Sequence, residues 1–226
     1  MLRRAIINVV QNLLATTGYT FASRMTWLER KPRFVITDWM DYVRLSSLEL
    51  CAAEIYDNKT VGSVAELGVF RGDFAAKINL AFPDRKLYLF DTFEGFDKRD
   101  IAVDNQKAYS KGDQDFSKTS VDVVLKKLLY PQNSLIRKGF FPESIQAEDL
   151  QETFAFVSID TDLYQPIYEG LTFFYPRLSP GGYIFIHDYN NDVYKGAKKA
   201  VRDFCQKNSI PYCPMTDGAG SAIIAK

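Results

Sequence analysis

Residues 63–72 read Ser63-Val64-Ala65-Glu66-Leu67-Gly68-Val69-Phe70-Arg71-Gly72. An apolar strand-like run ends at Leu67, two glycines bound a short loop, and Asp73 to Leu80 continue with helical spacing. A strand that turns through glycine into a helix is the opening unit of an α/β sheet. The pattern recurs downstream. Leu87–Phe90 ends at Asp91, Phe154–Ile159 ends at Asp160, and Tyr183–Ile186 ends at His187; Ser134–Ile136 is a further short run. Helices are expected over Tyr164–Tyr175 and Tyr194–Gln206, another opening at Thr119 and Asp122 and stopped by Pro131, and one starting at Thr37 and Asp38. That last helix is expected to bury Trp39, Val43, Leu50 and Ala53. Strands alternating with helices predict a mostly parallel sheet with helices on both faces. Tyr212–Met215 and Ser221–Ala225 flank Asp217-Gly218-Ala219-Gly220, the pattern of a terminal β-hairpin.

The chain has 226 residues, enough for one sizeable core. Lys plus Arg total 28 and Asp plus Glu total 28, so the net charge is zero and no global positive field favours nucleic acid. Apolar residues make up 46% and charged residues 25%, a globular mixture rather than a disordered one. Three scattered cysteines, Cys51, Cys205 and Cys213, give neither a disulfide framework nor a zinc ligand set, so a cytoplasmic setting is expected. His187 is the single histidine, which excludes any site that needs two.

No apolar stretch reaches the ~18 residues of a membrane span. Leu2, Ile6, Val9, Val10, Leu13 and Leu14 recur at helical spacing, interrupted by Asn8, Gln11 and Asn12. Residues 1–36 are therefore expected to form a helical extension. It packs on its own domain, on a second copy in a homodimer, or on a membrane surface. Residues 37–226 form the main domain. Within it, 94–118 hold eleven charged residues in twenty-five, with Phe96, Tyr109 and Phe116 interspersed. The stretch 93–118 reads either as a solvated insertion or as a lid.

In parallel sheets ligands sit beyond the carboxyl ends of the strands. That rule aligns Gly68–Gly72, Asp91, Gly139, Asp160 and His187–Asp188 along one rim. The glycine spacing is G-x-x-x-G, not the G-x-G-x-x-G of dinucleotide binders, which counts against a nicotinamide cofactor. Glu66 would repel phosphate and welcome an amine. Asp91, at the end of the next strand, can take ribose hydroxyls. An adenosyl compound with an amino-acid end and no pyrophosphate fits both. Asp160 lies one helix away from His187 and Asp188, so the three are expected at neighbouring strand ends. Clustered carboxylates attract a cation, and oxygen ligands suit Mg²⁺. Asp162 is expected to cap the helix after it.

Five segments taken together resemble the macrocin O-methyltransferase family. They are Glu66–Gly72, Phe90-Asp91-Thr92-Phe93-Glu94-Gly95, Ile159-Asp160-Thr161-Asp162-Leu163-Tyr164, Tyr175–Gly182, and His187-Asp188-Tyr189. The resemblance spans about residues 37–226. It implies a Rossmann-like class I methyltransferase fold with seven strands, the C-terminal strand running antiparallel. It implies a metal-dependent O-methyltransferase that uses S-adenosylmethionine with Mg²⁺ (or Mn²⁺). The implied acceptor is a small-molecule or glycan hydroxyl, on a glycosylated natural product or a polysaccharide. Carried over by position, Glu66, Gly68, Arg71 and Gly72 surround the methionine part. Asp91, Thr92 and Phe93 lie at the ribose, and Gly139 and Phe140 near the adenine. Asp160 matches the metal ligand and proposed base. His187 and Asp188 fall where the family usually has two aspartates, so His187 is either a ligand that favours Mn²⁺ over Mg²⁺ or a general base. Tyr164, Tyr189, Phe93 and Phe96 are candidate stacking aromatics. The rival readings are a metal-independent methyltransferase using His187 or Asp160 as base, and a non-catalytic nucleoside-binding protein.

Overall fold

The computed structural model describes residues 41–226 and, before them, residues 6, 9, 10, 13 and 17. The chain divides into two compact units, Met1–Pro32 and Arg33–Lys226. In the first, Ile6, Val9, Val10 and Leu13 are helical, while the expected positions Leu2 and Leu14 lie outside the described residues. So does the expected helix start at Thr37–Trp39.

The second unit begins with α1 (Tyr42–Asp57), β1 (Ser63–Leu67), α2 (Asp73–Ala81), β2 (Leu87–Asp91), α3 (Lys98–Lys107) and α4 (Val121–Leu125). It continues with β3 (Ser134–Lys138), β4 (Phe154–Ile159), α5 (Tyr164–Arg177), β5 (Leu178–Ile186), α6 (Lys195–Asn208), β6 (Cys213–Pro214) and β7 (Ala222–Ala225). The seven strands form one sheet in the order β3-β2-β1-β4-β5-β7-β6. β1 pairs in parallel with β2 and β4, and β7 runs antiparallel to both β5 and β6. This is the expected α/β architecture with its terminal hairpin. Tight antiparallel pairing needs only the short turn through Gly218 and Gly220, whereas each parallel pair needs a helical crossover.

β1 and β4 are buried at every position, so their side chains alternate between two apolar layers. Ala65, Leu67, Phe154 and Ile159 pack with Leu171, Phe174 and Phe204 of α5 and α6. Val64, Leu89 and Phe156 pack with Leu45, Leu48 and Ile55 of α1 and with Phe74 and Ile78 of α2. The α1 stripe is therefore Leu45, Leu48, Ala52 and Ile55, not the expected Val43, Leu50 and Ala53, which are half-buried. Both sets keep one helix face, since Val43, Leu50 and Ala53 also recur at i, i+7 and i+10; packing against Phe74, Ile78 and Phe156 selects the other face. Its N-cap is Asp41, whose Oδ1 accepts from Val43 N at 2.7 Å and Arg44 N at 3.2 Å.

α4 is shorter than expected. Beyond it the chain turns, and Tyr130 exchanges backbone hydrogen bonds with the buried Asn79 amide instead of extending the helix. The helix α3 within 94–118 is an addition to the expected elements. Asp97 caps it, and its buried side chains are Asp100 and Asp104 rather than apolar residues.

Candidate active site

β1 and β4 lie side by side, with β2 continuing the order on one side and β5 on the other. Such a reversal opens a crevice at the strand ends. Backbone hydrogen bonds hold this rim together beyond the strands. Gly68 N donates to Phe90 O (2.9 Å), Asp160 N to Leu67 O (2.8 Å), His187 N to Ile159 O (2.9 Å) and Gly139 N to Asp91 O (2.9 Å). Gly68 adopts φ +84°, and a Cβ there would come within 2.1 Å of Asp160 O. Only glycine allows the two chains to approach this closely.

Above the rim is a cleft of about 670 Å³, within the range of small-molecule sites. Glu66, Gly68, Arg71, Asp91, Thr92, Gly139, Phe140, Asp160, His187 and Asp188 all line it, as expected from their strand-end positions. Gly72 and Phe93 are not among the lining residues. Gly72 is the N-cap of α2, packed so that a Cβ would meet Val124 Cγ1 at 2.8 Å, and Phe93 is buried with the apolar layer beneath. Of the candidate stacking aromatics Phe96 lines the cleft, whereas Tyr164 donates to Asp203 and Tyr189 pairs with Tyr212 elsewhere.

Asp160, His187 and Asp188 meet there. His187 Nδ1 stands 2.7 Å from Asp188 Oδ2 and 3.1 Å from Asp160 Oδ1. One potential ligand atom from each residue fits within 4.8 Å of the others. Asn191 Nδ2 donates to the second Asp188 oxygen at 2.6 Å. Asp188 carries φ 58°, a strained value for a non-glycine residue, which is common where a side chain is held for function. Asp162, also at positive φ, does not cap α5 as expected. The α5 backbone at Tyr164 N is instead satisfied by Asp104 of α3, at 3.0 Å.

Arg44 completes the cluster, and sequence reasoning missed it. Its Nη1 and Nη2 each donate to Asp160 Oδ2 at 3.0 Å, Nη2 also reaches Ser158 Oγ at 3.2 Å, and its guanidinium stacks on Phe74 at 3.8 Å. The signal was available: Arg44 lies four residues before Leu48 on the buried stripe of α1. A cation on an apolar face calls for a buried partner.

Burial pushes the Asp160 carboxyl up, but His187 and Arg44 outweigh it and hold the group below the usual carboxylate range. Burial pulls His187 down, but the Asp160 charge prevails and the imidazole is pushed up to about 10. Burial, reinforced by the charges of Asp160, Asp91 and Asp73 and opposed by Arg44, raises Glu66 well above the usual glutamate range. Glu66 is 1% exposed, and its Oε2 is a buried oxygen without a hydrogen-bond partner. Asp91 is not a free acid. Its Oδ2 accepts from Val69 N (2.6 Å) and Phe70 N (2.8 Å), and its Oδ1 from Phe93 N (2.6 Å). The carboxylate thus shapes the glycine loop and keeps lone-pair capacity on Oδ1 for one hydroxyl.

The insertion borders the cleft through Phe96, Asp97, Asp100, Gln114 and Phe116. Phe70 of the loop meets Phe116 edge-on at 5.1 Å, Phe116 meets Phe96 at 5.0 Å, and Phe96 meets Tyr194 at 6.2 Å. Tyr194 donates to Gln114 Oε1 at 2.6 Å. Among the described residues, no helix is long and apolar enough to cross a membrane.

A model of the macrocin O-methyltransferase family matches residues 11–221. The mycinamicin III 3''-O-methyltransferase of Micromonospora griseorubida is 29% identical over 182 residues, 74% of this chain and 69% of that one. The demethyldecarbamoylnovobiocin O-methyltransferase of Streptomyces niveus is 24% identical over 178 residues, 74% of this chain and 67% of that one. Among solved structures, a calicheamicin methyltransferase superposes with a TM-score of 0.65 at 20% identity, covering 80% of this chain and 78% of that one. That likeness shows the same fold.

Proposed function

This chain belongs to the macrocin O-methyltransferase family and is an S-adenosylmethionine-dependent O-methyltransferase; from that premise we propose that it methylates a sugar hydroxyl of a glycosylated natural product. The observation that carries the reading is the convergence of Asp160 with His187 and Asp188 in a cleft that also holds Glu66 and Asp91. The relatives' names supply the acceptor class: mycinamicin and novobiocin precursors.

The donor supplies a methyl group on a cationic sulfur. Glu66 offers a buried acceptor for the donor's amine, Asp91 Oδ1 accepts from a ribose hydroxyl, and Gly139 with Phe140 flanks the base. Arg71, at the edge of the glycine loop, and Thr92 border the same end. Methyl transfer needs acceptor oxygen, carbon and sulfur in line, and a cleft that fixes both partners contributes most of the effect. The acceptor hydroxyl must also lose its proton. His187, placed between two carboxylates, already carries a proton near neutrality, which leaves Asp160 to take it. The aromatic chain Phe70-Phe116-Phe96-Tyr194 shields the reacting atoms, and we propose that residues 93–118 act as the lid.

The residues present fit a divalent ion. Two carboxylates and one imidazole approach one another closely, Arg44 engages only Oδ2 of Asp160, and an ion that displaced the His187 proton would meet Oδ1 together with the imidazole and Asp188. Asp160, His187 and Asp188 would hold it, and the imidazole favours Mn²⁺ over Mg²⁺. Such an ion supplies positive charge that stabilises an oxygen losing its proton. A second reading rests on Arg44: the chain Arg44–Asp160–His187–Asp188 is internally charge-compensated and can work without an ion.

The test is methyl transfer from labelled S-adenosylmethionine to a panel of deoxysugar glycosides and the matching aglycones. Label on a sugar oxygen is expected. Label only on aglycones, or no transfer to any glycoside, would overturn the acceptor assignment. Activity lost in EDTA and restored by Mn²⁺ supports the ion; activity unchanged by EDTA selects the second reading.

A further inference from the structure

The residues given to the methyl donor, Glu66, Asp91 and Gly139, stand at the ends of β1, β2 and β3, in one half of the sheet. The other half, β5-β7-β6, borders the same cleft through residues that play no part in holding the donor. Asn191 and Val193 follow β5, and Gly218 and Ala219 lie in the turn between β6 and β7. Asn190 N donates to Gly220 O at 2.9 Å, which joins the two segments into one wall, and Gly218 N ties that wall to Asp41 at the start of α1.

The polar side chains of this wall are already engaged. Asn191 donates through Nδ2 to Asp188 and accepts through Oδ1 from Val193 N at 2.8 Å. Asp41 accepts from the backbone N–H groups of Val43, Arg44 and Gly218. What remains on the cleft side is apolar: Ala219, and Val193, which is 58% exposed. One exposed valine is ordinary on a protein surface. This one is held by the same amide that holds Asp188, so it stands at a fixed place beside the reacting cluster. A hydroxyl-rich glycan laid on this wall would give up water and gain few partners. An apolar group would cover Val193 and lose no hydrogen bond.

We infer that Val193 and Ala219 receive an apolar aglycone beside the methylated sugar, and so select glycosides of hydrophobic aglycones over free sugars and polysaccharide. The inference rests on the sugar O-methyltransferase reading and narrows its acceptor.

The p-nitrophenyl and methyl glycosides of each deoxysugar in the acceptor panel give the test. The wild type is expected to favour the p-nitrophenyl glycoside about three- to tenfold in kcat/KM, with the difference carried by KM. Val193→Asn is expected to bring that ratio close to one, and Ala219→Asn to narrow it. Val193→Leu, which stays apolar, is expected to keep or widen it. S-adenosylhomocysteine binding, followed by calorimetry, should stay within about twofold of wild type in all of these variants, because the donor lies on the other half of the sheet. Equal kcat/KM for the two glycosides in the wild type, or a preference that survives Val193→Asn, would overturn the inference and leave the methyltransferase reading standing. Wild-type protein that methylates no glycoside of either kind would overturn both.

Discussion

Two buried arginines each hold an aspartate, and they do so in different ways. Arg137 meets Asp149 with two parallel bonds, Nε to Oδ2 at 2.7 Å and Nη2 to Oδ1 at 2.6 Å, and Gln146 N adds a third at 3.0 Å. Arg44 places both Nη atoms on a single oxygen of Asp160 and leaves Nε with nothing. Burial does not explain the contrast, since Arg137 is 6% exposed and Arg44 8%. Location does. Arg137 is on β3 at the sheet edge, where the pair has only to tie β3 to the short turn around Asp149. Arg44 borders the cleft, where the other oxygen of Asp160 faces His187 instead of closing the fork. The Arg137 pair is closed on itself, whereas the Arg44 pair shares its aspartate with His187.

Removing one side of each pair sharpens this contrast. Arg137→Met is expected to destabilise the fold by about 3–5 kcal/mol, because it strands Asp149 as a buried unpaired charge. Arg44→Met is expected to cost less than half of that, since His187 still faces Asp160. Urea unfolding measures both, and equal losses would erase the distinction between the two pairs.

A third buried acid, Asp100, lies in the insertion beside the cleft. Burial, reinforced by Asp97, raises Asp100 of α3 to about 7 from the usual 3.8. The folded state therefore holds a proton that the unfolded chain releases near pH 4. Stability falls as pH rises from about 4 to about 7 and is then level. Asp100→Asn should stabilise the fold by about 1–2 kcal/mol at pH 8 and by nothing measurable at pH 4. Thermal melts at the two pH values check this, and an equal shift at both would show that ionisation is not the cause. The smallest effect is expected at Ser110, whose hydroxyl donates to Asp104 at 2.9 Å. Ser110→Ala should cost about 1 kcal/mol and speed proteolysis within 109–117, with no change in cuts elsewhere.

What could be read from the sequence follows the same division. β1 and β4 were legible to the residue because strands buried on both faces are continuous apolar runs ended by a charge or a glycine. Those terminators, Asp91, Asp160 and His187–Asp188, all line the cleft, so the rim came with the strands. Arg44 was hidden because the α1 stripe was misphased toward Val43, Leu50 and Ala53; reading Leu45, Leu48 and Ile55 first would have exposed it. α3 was hidden because it docks through Asp100 and Asp104 rather than through an apolar stripe. The helix cap supplied to α5 by Asp104 joins residues 60 apart in sequence, a contact that local spacing cannot reveal.

We propose that Asp160, brought to His187 and Asp188 at the cleft, takes the proton from a sugar hydroxyl as the methyl group moves. Single-turnover transfer to a glycoside accepted by the wild type, with Asp160→Asn alongside, tests it most directly. A loss of about 10²–10⁴-fold in the transfer rate is expected, with S-adenosylhomocysteine still bound. A variant that binds the same ligand and transfers methyl at the wild-type rate would contradict it.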